Sequence, residues 1–164
     1  MKIRPATFED VPALLEIYND AVLHTTASYD YEPKTLAERT AWLAHHQQEG
    51  YAVFVAVDPA GRVVGWSSLS RFREKIGYQF TAENSLYVAA SHRGQGLGKL
   101  LLAPLIPAAR QRGLRVILAL IDAENTASRR LHARFGFEQV AHLKQAGFKF
   151  GRWLDVIYME LLLT

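Results

Sequence analysis

Eight residues, His92-Arg93-Gly94-Gln95-Gly96-Leu97-Gly98-Lys99, carry the strongest chemical signal in this chain. They lie between an extended apolar run, Ser85 to Ala89, and a run of helical character, Leu97 to Gln111. Three glycines within five residues let the backbone pass close to a ligand that a Cβ would hold off. The following helix adds unpaired N–H groups and the positive end of its dipole, so the turn suits phosphate. Arg93 and Lys99 bring positive charge to either side.

Two familiar phosphate loops do not fit. A Walker loop needs Ser or Thr after its Gly-Lys, with an earlier glycine at fixed spacing. Here Leu100 follows Gly98-Lys99, and Arg93 stands where that glycine belongs. A dinucleotide fingerprint beginning at Gly94 requires glycine at Lys99, and it fails as well. What remains is Arg-x-x-Gly-x-Gly, Arg93 to Gly98, between a strand and a helix.

The elements that must hold this loop follow from periodicity. Ile3-Arg4-Pro5 reads as a short strand, and Thr7 with Asp10 opens a helix through Leu14, Leu15, Ile17, Tyr18, Ala21 and Val22. Pro33 to Glu38 opens a second helix with capping-box spacing at Thr35 and Glu38, and Gly50 closes it. Tyr51 to Asp58 and Arg62 to Leu69 are strands joined by the turn Asp58-Pro59-Ala60-Gly61. Thr81 to Ala89 is the strand that feeds the glycine loop and the helix Leu97 to Gln111, which Gly113 ends. Val116 to Ile121 is a buried strand, Asn125 to Gly136 a helix, and Phe137 to Leu143 and Trp153 to Leu163 are closing strands. The order β-α-α-β-β-β-α-β-α-β-β predicts an α/β fold of the α+β type. Its mixed, mainly antiparallel sheet carries helices on both faces, in a single domain over 1–164.

Bulk properties narrow the function. The chain has 49% hydrophobic residues and a formal net charge of +3, with basic residues scattered rather than blocked. Nucleic-acid binding usually shows a basic stripe or a known module, and neither is present. Arg129, Arg130 and Arg134 share a predicted helix, which suits solvent or CoA phosphates better than DNA. The longest apolar runs are far too short to span a bilayer, and the N-terminus lacks a signal-peptide core. With zero cysteines there is no thiolate metal site and no cysteine nucleophile, and no metal site is expected. A cytoplasmic protein is expected.

Arg93 to Gly98 resembles the acyl-CoA pyrophosphate loop of the GNAT superfamily of N-acetyltransferases, and the element order is similar to that superfamily's fold. The resemblance implies acetyl-CoA as co-substrate. It implies contacts from the strand residues Leu86, Tyr87 and Val88, with a backbone N–H near Val88 polarising the thioester carbonyl. The loop residues Arg93, Gly94, Gln95, Gly96, Leu97, Gly98 and Lys99 would hold the pyrophosphate. Asn125 can cap its helix, and by the resemblance Asn125 and Ser128 contact pantetheine. Leu131-His132-Ala133-Arg134-Phe135-Gly136-Phe137 matches the segment that closes this helix. His132 stands where many members carry the tyrosine that protonates the leaving thiolate, and histidine can move protons near neutral pH.

A narrower branch is indicated by Thr81 to Val88, Arg130-Leu131-His132, Gly147 to Val156 and Ile17 to Val22. These segments resemble the phosphinothricin N-acetyltransferases and their relatives that acetylate methionine sulfoximine and methionine sulfone. By that resemblance Glu83 is the general base for the acceptor ammonium; on its own it reads equally as an exposed strand residue. Arg73, Lys75 and Tyr78, in a loop of interleaved cations and aromatics, would hold the acceptor's carboxylate and polar head, although a solvated basic loop has the same composition. Lys149 is expected to complete the pocket of a homodimer. Direct transfer in a ternary complex is expected, because no cysteine exists to carry the acyl group. The rival readings are acetylation of another amine (an antibiotic, a polyamine or a protein N-terminus) and a non-catalytic acyl-CoA-binding sensor.

Overall fold

A computed structural model describes residues 1–164. The strands are β1 Lys2–Pro5, β2 Val53–Val57, β3 Val63–Arg71, β4 Thr81–Val88, β5 Val116–Asp122, β6 Glu138–Lys149 and β7 Arg152–Leu162. The helices are α1 Val11–His24, α2 Leu36–Glu49, α3 Leu97–Leu102, α4 Leu105–Gln111 and α5 Thr126–Arg134. The caps behave as their residue types dictate. Thr35 Oγ1 accepts from Glu38 N–H at 3.2 Å, Glu38 Oε2 accepts from Thr35 N–H at 2.7 Å, and Gly50 ends α2 at φ 71°. No helix is long and apolar enough to cross a membrane.

One seven-stranded sheet runs β1-β2-β3-β4-β5-β7-β6. Every pairing is antiparallel except β4 with β5, so the mixed, mainly antiparallel sheet is observed. α1 and α2 cover one face, where Leu14, Ile17 and Leu43 pack with Val53, Val55 and Trp66. α3 and α4 cover the other, where Leu102, Leu105 and Ala109 pack with Ala82, Ile117 and Ile157.

The parallel pair positions the site. β4 matches β3 from Ala82 to Val88, but it matches β5 only at Thr81, Glu83 and the residue between them. Beyond Glu83 and Leu118 the two strands part, splitting the sheet from its C-terminal side. Ligands of open sheets bind at such a parting, outside the carboxyl ends of parallel strands.

Two elements differ from the sequence reading. The helix expected from Leu97 to Gln111 breaks between Leu102 and Leu105. Pro104 and Pro107 lack the N–H groups that an unbroken helix would donate to the carbonyls four residues back. The strand expected to stop at Leu143 continues to Lys149, with a register shift between Leu143 and Gly147. Gln145 adopts φ 54° there, and its N–H donates to Asp155 Oδ1 at 2.9 Å, which secures the bulge on this edge strand.

Candidate active site

Residues along β4 alternate between the two faces. Ala82, Leu86 and Val88 pack toward α3 and α4, so Glu83, Ser85 and Tyr87 look toward α1 and α2. In the sheet plane, Ala89 N–H donates to Val64 O, which sets odd-numbered backbone groups toward β3. The backbone groups of Leu86 and Val88 therefore face the parting.

At the end of β4 the chain turns through Gly94, φ 75°, and Gly96, φ 81°, into α3. A Cβ at either glycine would meet nothing within 4 Å, so no contact within the chain calls for glycine there; their left-handed backbone does, and the space above them is open. Gly98 differs: a Cβ there would come 2.8 Å from Leu131 Cδ2, so its role is the close approach of α3 to α5. A groove of ≈ 670 Å³ runs along this loop, lined by Leu86, Tyr87, Val88, Arg93, Gly94, Gly96, Leu97 and Gly98, with Asn125 and Ser128 opposite. These are ten of the twelve residues that the sequence assigned to acetyl-CoA. Gln95 and Lys99 do not line it; Gln95 Nε2 donates to Ser91 O at 3.1 Å within the turn, and Lys99 is exposed. Arg93 is braced, its guanidinium donating to Val88 O at 3.1 Å and to Asp20 Oδ2 at 3.0 Å. Asn125 Oδ1 caps α5 by accepting from Ser128 N–H at 3.1 Å, and its amide nitrogen makes no hydrogen bond within the chain. Both readings of Asn125 thus fit one side chain.

Glu83 occupies the last matched position before the strands part, opposite Leu118. It is half-buried with no ion pair or hydrogen bond from its side chain. Burial pushes its carboxyl above the usual range, and the positive charge of Arg73 opposes that shift. His132 lines the same ≈ 110 Å³ recess from α5. It is 3% exposed, with Nδ1 2.8 Å from Ser128 O and Nε2 3.1 Å from Asn84 Oδ1. Burial lowers its pKa, while the Ser128 carbonyl works the other way. In the neutral ring Nδ1–H donates to Ser128 O, and Nε2 then carries no proton.

The residues assigned to the acceptor do not gather at Glu83. Arg73 and Lys75 are exposed and line a separate ≈ 290 Å³ depression with Tyr51, Glu74 and Arg112; of the two, only Arg73 registers electrostatically at Glu83. Tyr78 is exposed and meets Phe72 edge-on at 5.8 Å. Lys149 is buried, its ammonium donating to Thr25 O at 2.8 Å and Ser28 O at 2.6 Å, so it ties β6 to the loop after α1. Lys149→Met is expected to lower stability by about 2 kcal/mol, because a buried and a half-buried carbonyl lose their donor. Thermal unfolding checks this; an unchanged Tm would mean the loop holds without the tie.

The sequence reading missed Tyr87 as a junction and Arg39 altogether. Tyr87 borders the groove, the recess and a third pocket on the α1–α2 side. Arg39 was legible in principle, because it stands on the buried stripe of α2 with Leu43 and His46.

The chain belongs to the acetyltransferase (GNAT) family, whose pattern matches residues 12–137. An L-methionine sulfoximine/L-methionine sulfone acetyltransferase of Pseudomonas aeruginosa is 47% identical over 159 residues, covering 97% of this chain and 92% of its own. An acetyltransferase of Salmonella typhimurium, solved with its cofactor acetyl-CoA, superposes with a TM-score of 0.97 at 43% identity, covering 99% of this chain and 94% of its own. A phosphinothricin acetyltransferase of Sinorhizobium meliloti, solved in complex with acetyl-CoA, gives 0.96 at 36% identity, covering 99% and 88%.

Proposed function

We propose that this protein is an acetyl-CoA-dependent N-acetyltransferase. Its acceptor is the α-amino group of a small amino-acid-like compound of the methionine sulfone, methionine sulfoximine or phosphinothricin type. The observation that carries the reading is an unpaired, half-buried carboxylate, Glu83, at the vertex of a parted parallel pair, with a glycine cradle past the carboxyl end of the same strand. The relatives' named substrates support the acceptor class.

The groove fits acetyl-CoA, since the open space above Gly94 and Gly96 is what a phosphate would occupy. When bound, acetyl-CoA supplies an acetyl group activated as a thioester. Backbone N–H groups of Leu86 and Val88 face that position and are suited to polarise a carbonyl. Glu83 takes the ammonium proton, and its raised pKa makes it a better base than a free carboxylate. His132, neutral and donating through Nδ1–H to Ser128 O, stands between α5 and β4 with its proton-free Nε2 beside Asn84 Oδ1; solvent protonates the thiolate at the open groove, so His132→Ala slows turnover less than loss of Glu83. A homodimer accompanies this reading, supported by exposed Phe148, Phe150 and Trp153 clustered where β6 meets β7.

A thiol-release assay with acetyl-CoA and a panel of amines tests it. Methionine sulfone, methionine sulfoximine and phosphinothricin are expected to outpace spermidine and aminoglycosides by at least tenfold in kcat/KM. Preference for a polycation would replace this acceptor class with another amine; binding of acetyl-CoA without turnover on any amine would favour the sensor.

A further inference from the structure

Helix α2 carries a cation where its buried stripe calls for an apolar side chain. Arg39 is 4% exposed, yet its guanidinium makes no ion pair and no side-chain hydrogen bond within the chain, and Nε is sealed without a partner. Its Cζ lies 4.2 Å from the Tyr18 ring centroid, 4.6 Å from Trp42 and 5.3 Å from Trp66. Rings satisfy a guanidinium in part. They supply no acceptor for its N–H fork, and arginine is almost never this buried unpaired. The nearby acids are already engaged: Asp30 accepts from the Tyr18 hydroxyl and lies 3.4 Å from Lys34, while Glu38 caps α2.

Arg39 borders a pocket of ≈ 340 Å³ that also takes in the engaged carboxylates of Asp30 and Glu38, Lys34, Trp66, Ser85 and Tyr87. Ser85 and Tyr87 border the Glu83 recess as well, so the two spaces meet across β4. Glu83 and Ser85 share a face and stand two residues apart, about 7 Å, which is within the span of a small amino acid. A molecule with its amine at Glu83 can therefore extend past Ser85 into the pocket that Arg39 borders.

We propose that Arg39 is the seat for an oxyanion of the acceptor, held by its N–H fork between aromatic walls. The proposal rests on the acceptor class given above and adds the residue that selects it. A planar fork matches a carboxylate bidentately, and in a buried pocket such a pair contributes strongly. A neutral or cationic acceptor would leave the guanidinium fork without a matching acceptor. Arg73 and Lys75, the cations singled out by the sequence, border another depression.

Calorimetric titration of the wild type with methionine sulfone and with its carboxamide tests the seat. The acid is expected to bind at least tenfold more tightly than the amide. In Arg39→Gln the two should converge to within about twofold, and Arg39→Lys should fall between, all with unchanged affinity for acetyl-CoA. Survival of the preference in Arg39→Gln, or its loss in Arg73→Ala alone, overturns the proposal. If the Arg39 variants do not fold, the ¹⁵Nε resonance of Arg39 in the wild type decides: the acid should shift it, and no shift overturns the seat. A shift that persists with phosphinothricin carboxamide assigns the seat to the anionic head; its absence there assigns it to the α-carboxylate. A wild type that binds neither acid nor amide overturns the seat for this class. One that binds the acid but transfers no acetyl group overturns the function proposed above and leaves the seat standing.

Discussion

Glu83→Gln is expected to lower kcat by ~100-fold or more while leaving acetyl-CoA affinity within a factor of about two. The amide keeps the volume of the carboxyl and removes only its ability to take a proton. Burial raises the Glu83 pKa, so the reactive carboxylate forms only as pH climbs past the ordinary carboxylate range. The acidic limb of kcat/KM should follow that ionisation and vanish in Glu83→Gln. Arg73 opposes the shift, so Arg73→Ala should move the limb to higher pH. Stability runs the other way. A carboxyl whose folded pKa is raised contributes stability that is full below its unfolded pKa and is lost as pH rises through the folded value. The charge on Glu83 therefore destabilises the fold at neutral pH, and Glu83→Gln should keep or raise Tm there. Full turnover across the pH profile would place the base elsewhere; a fall in Tm together with the rate would attribute the loss to the fold.

The glycine loop was legible because its signal is local: residue type and spacing along five residues are enough to define it. The β order was legible because turns and alternating runs mark each strand. The parting of β4 and β5 was not, since it depends on a register that matches only three positions before stopping. Periodicity gives the strands but not how long two of them stay together, and that length sets where Glu83 sits. Lys149 shows the same limit from the other side. Its place in the Gly147 to Val156 segment suggested a pocket residue, yet its ammonium reaches back to carbonyls more than a hundred residues earlier. Arg39 went unread because a cation on a helix is usually solvated. Its burial comes from Tyr18, Trp42 and Trp66 converging on it, two of which lie on other elements.

Gly96→Val should reduce acetyl-CoA affinity at least ~100-fold in a protein that still folds, and Gly98→Ala should not. The two glycines stand two residues apart in one loop, but they are glycine for different reasons. At Gly96, with φ 81°, nothing lies within 4 Å of a Cβ. The valine methyls therefore occupy the groove itself rather than striking the protein. The left-handed backbone adds strain of about 1–2 kcal/mol, which lowers Tm modestly without unfolding the chain. At Gly98 the backbone is unstrained, and a Cβ would press on Leu131 Cδ2 at 2.8 Å. Gly98→Ala should thus cost about 1 kcal/mol of stability as the leucine tip shifts, with acetyl-CoA affinity held within a few-fold. Titration calorimetry with acetyl-CoA and thermal unfolding, run on both variants, separate the two effects. Wild-type affinity in a folded Gly96→Val protein would remove the groove from acetyl-CoA binding and with it the proposed chemistry at Glu83.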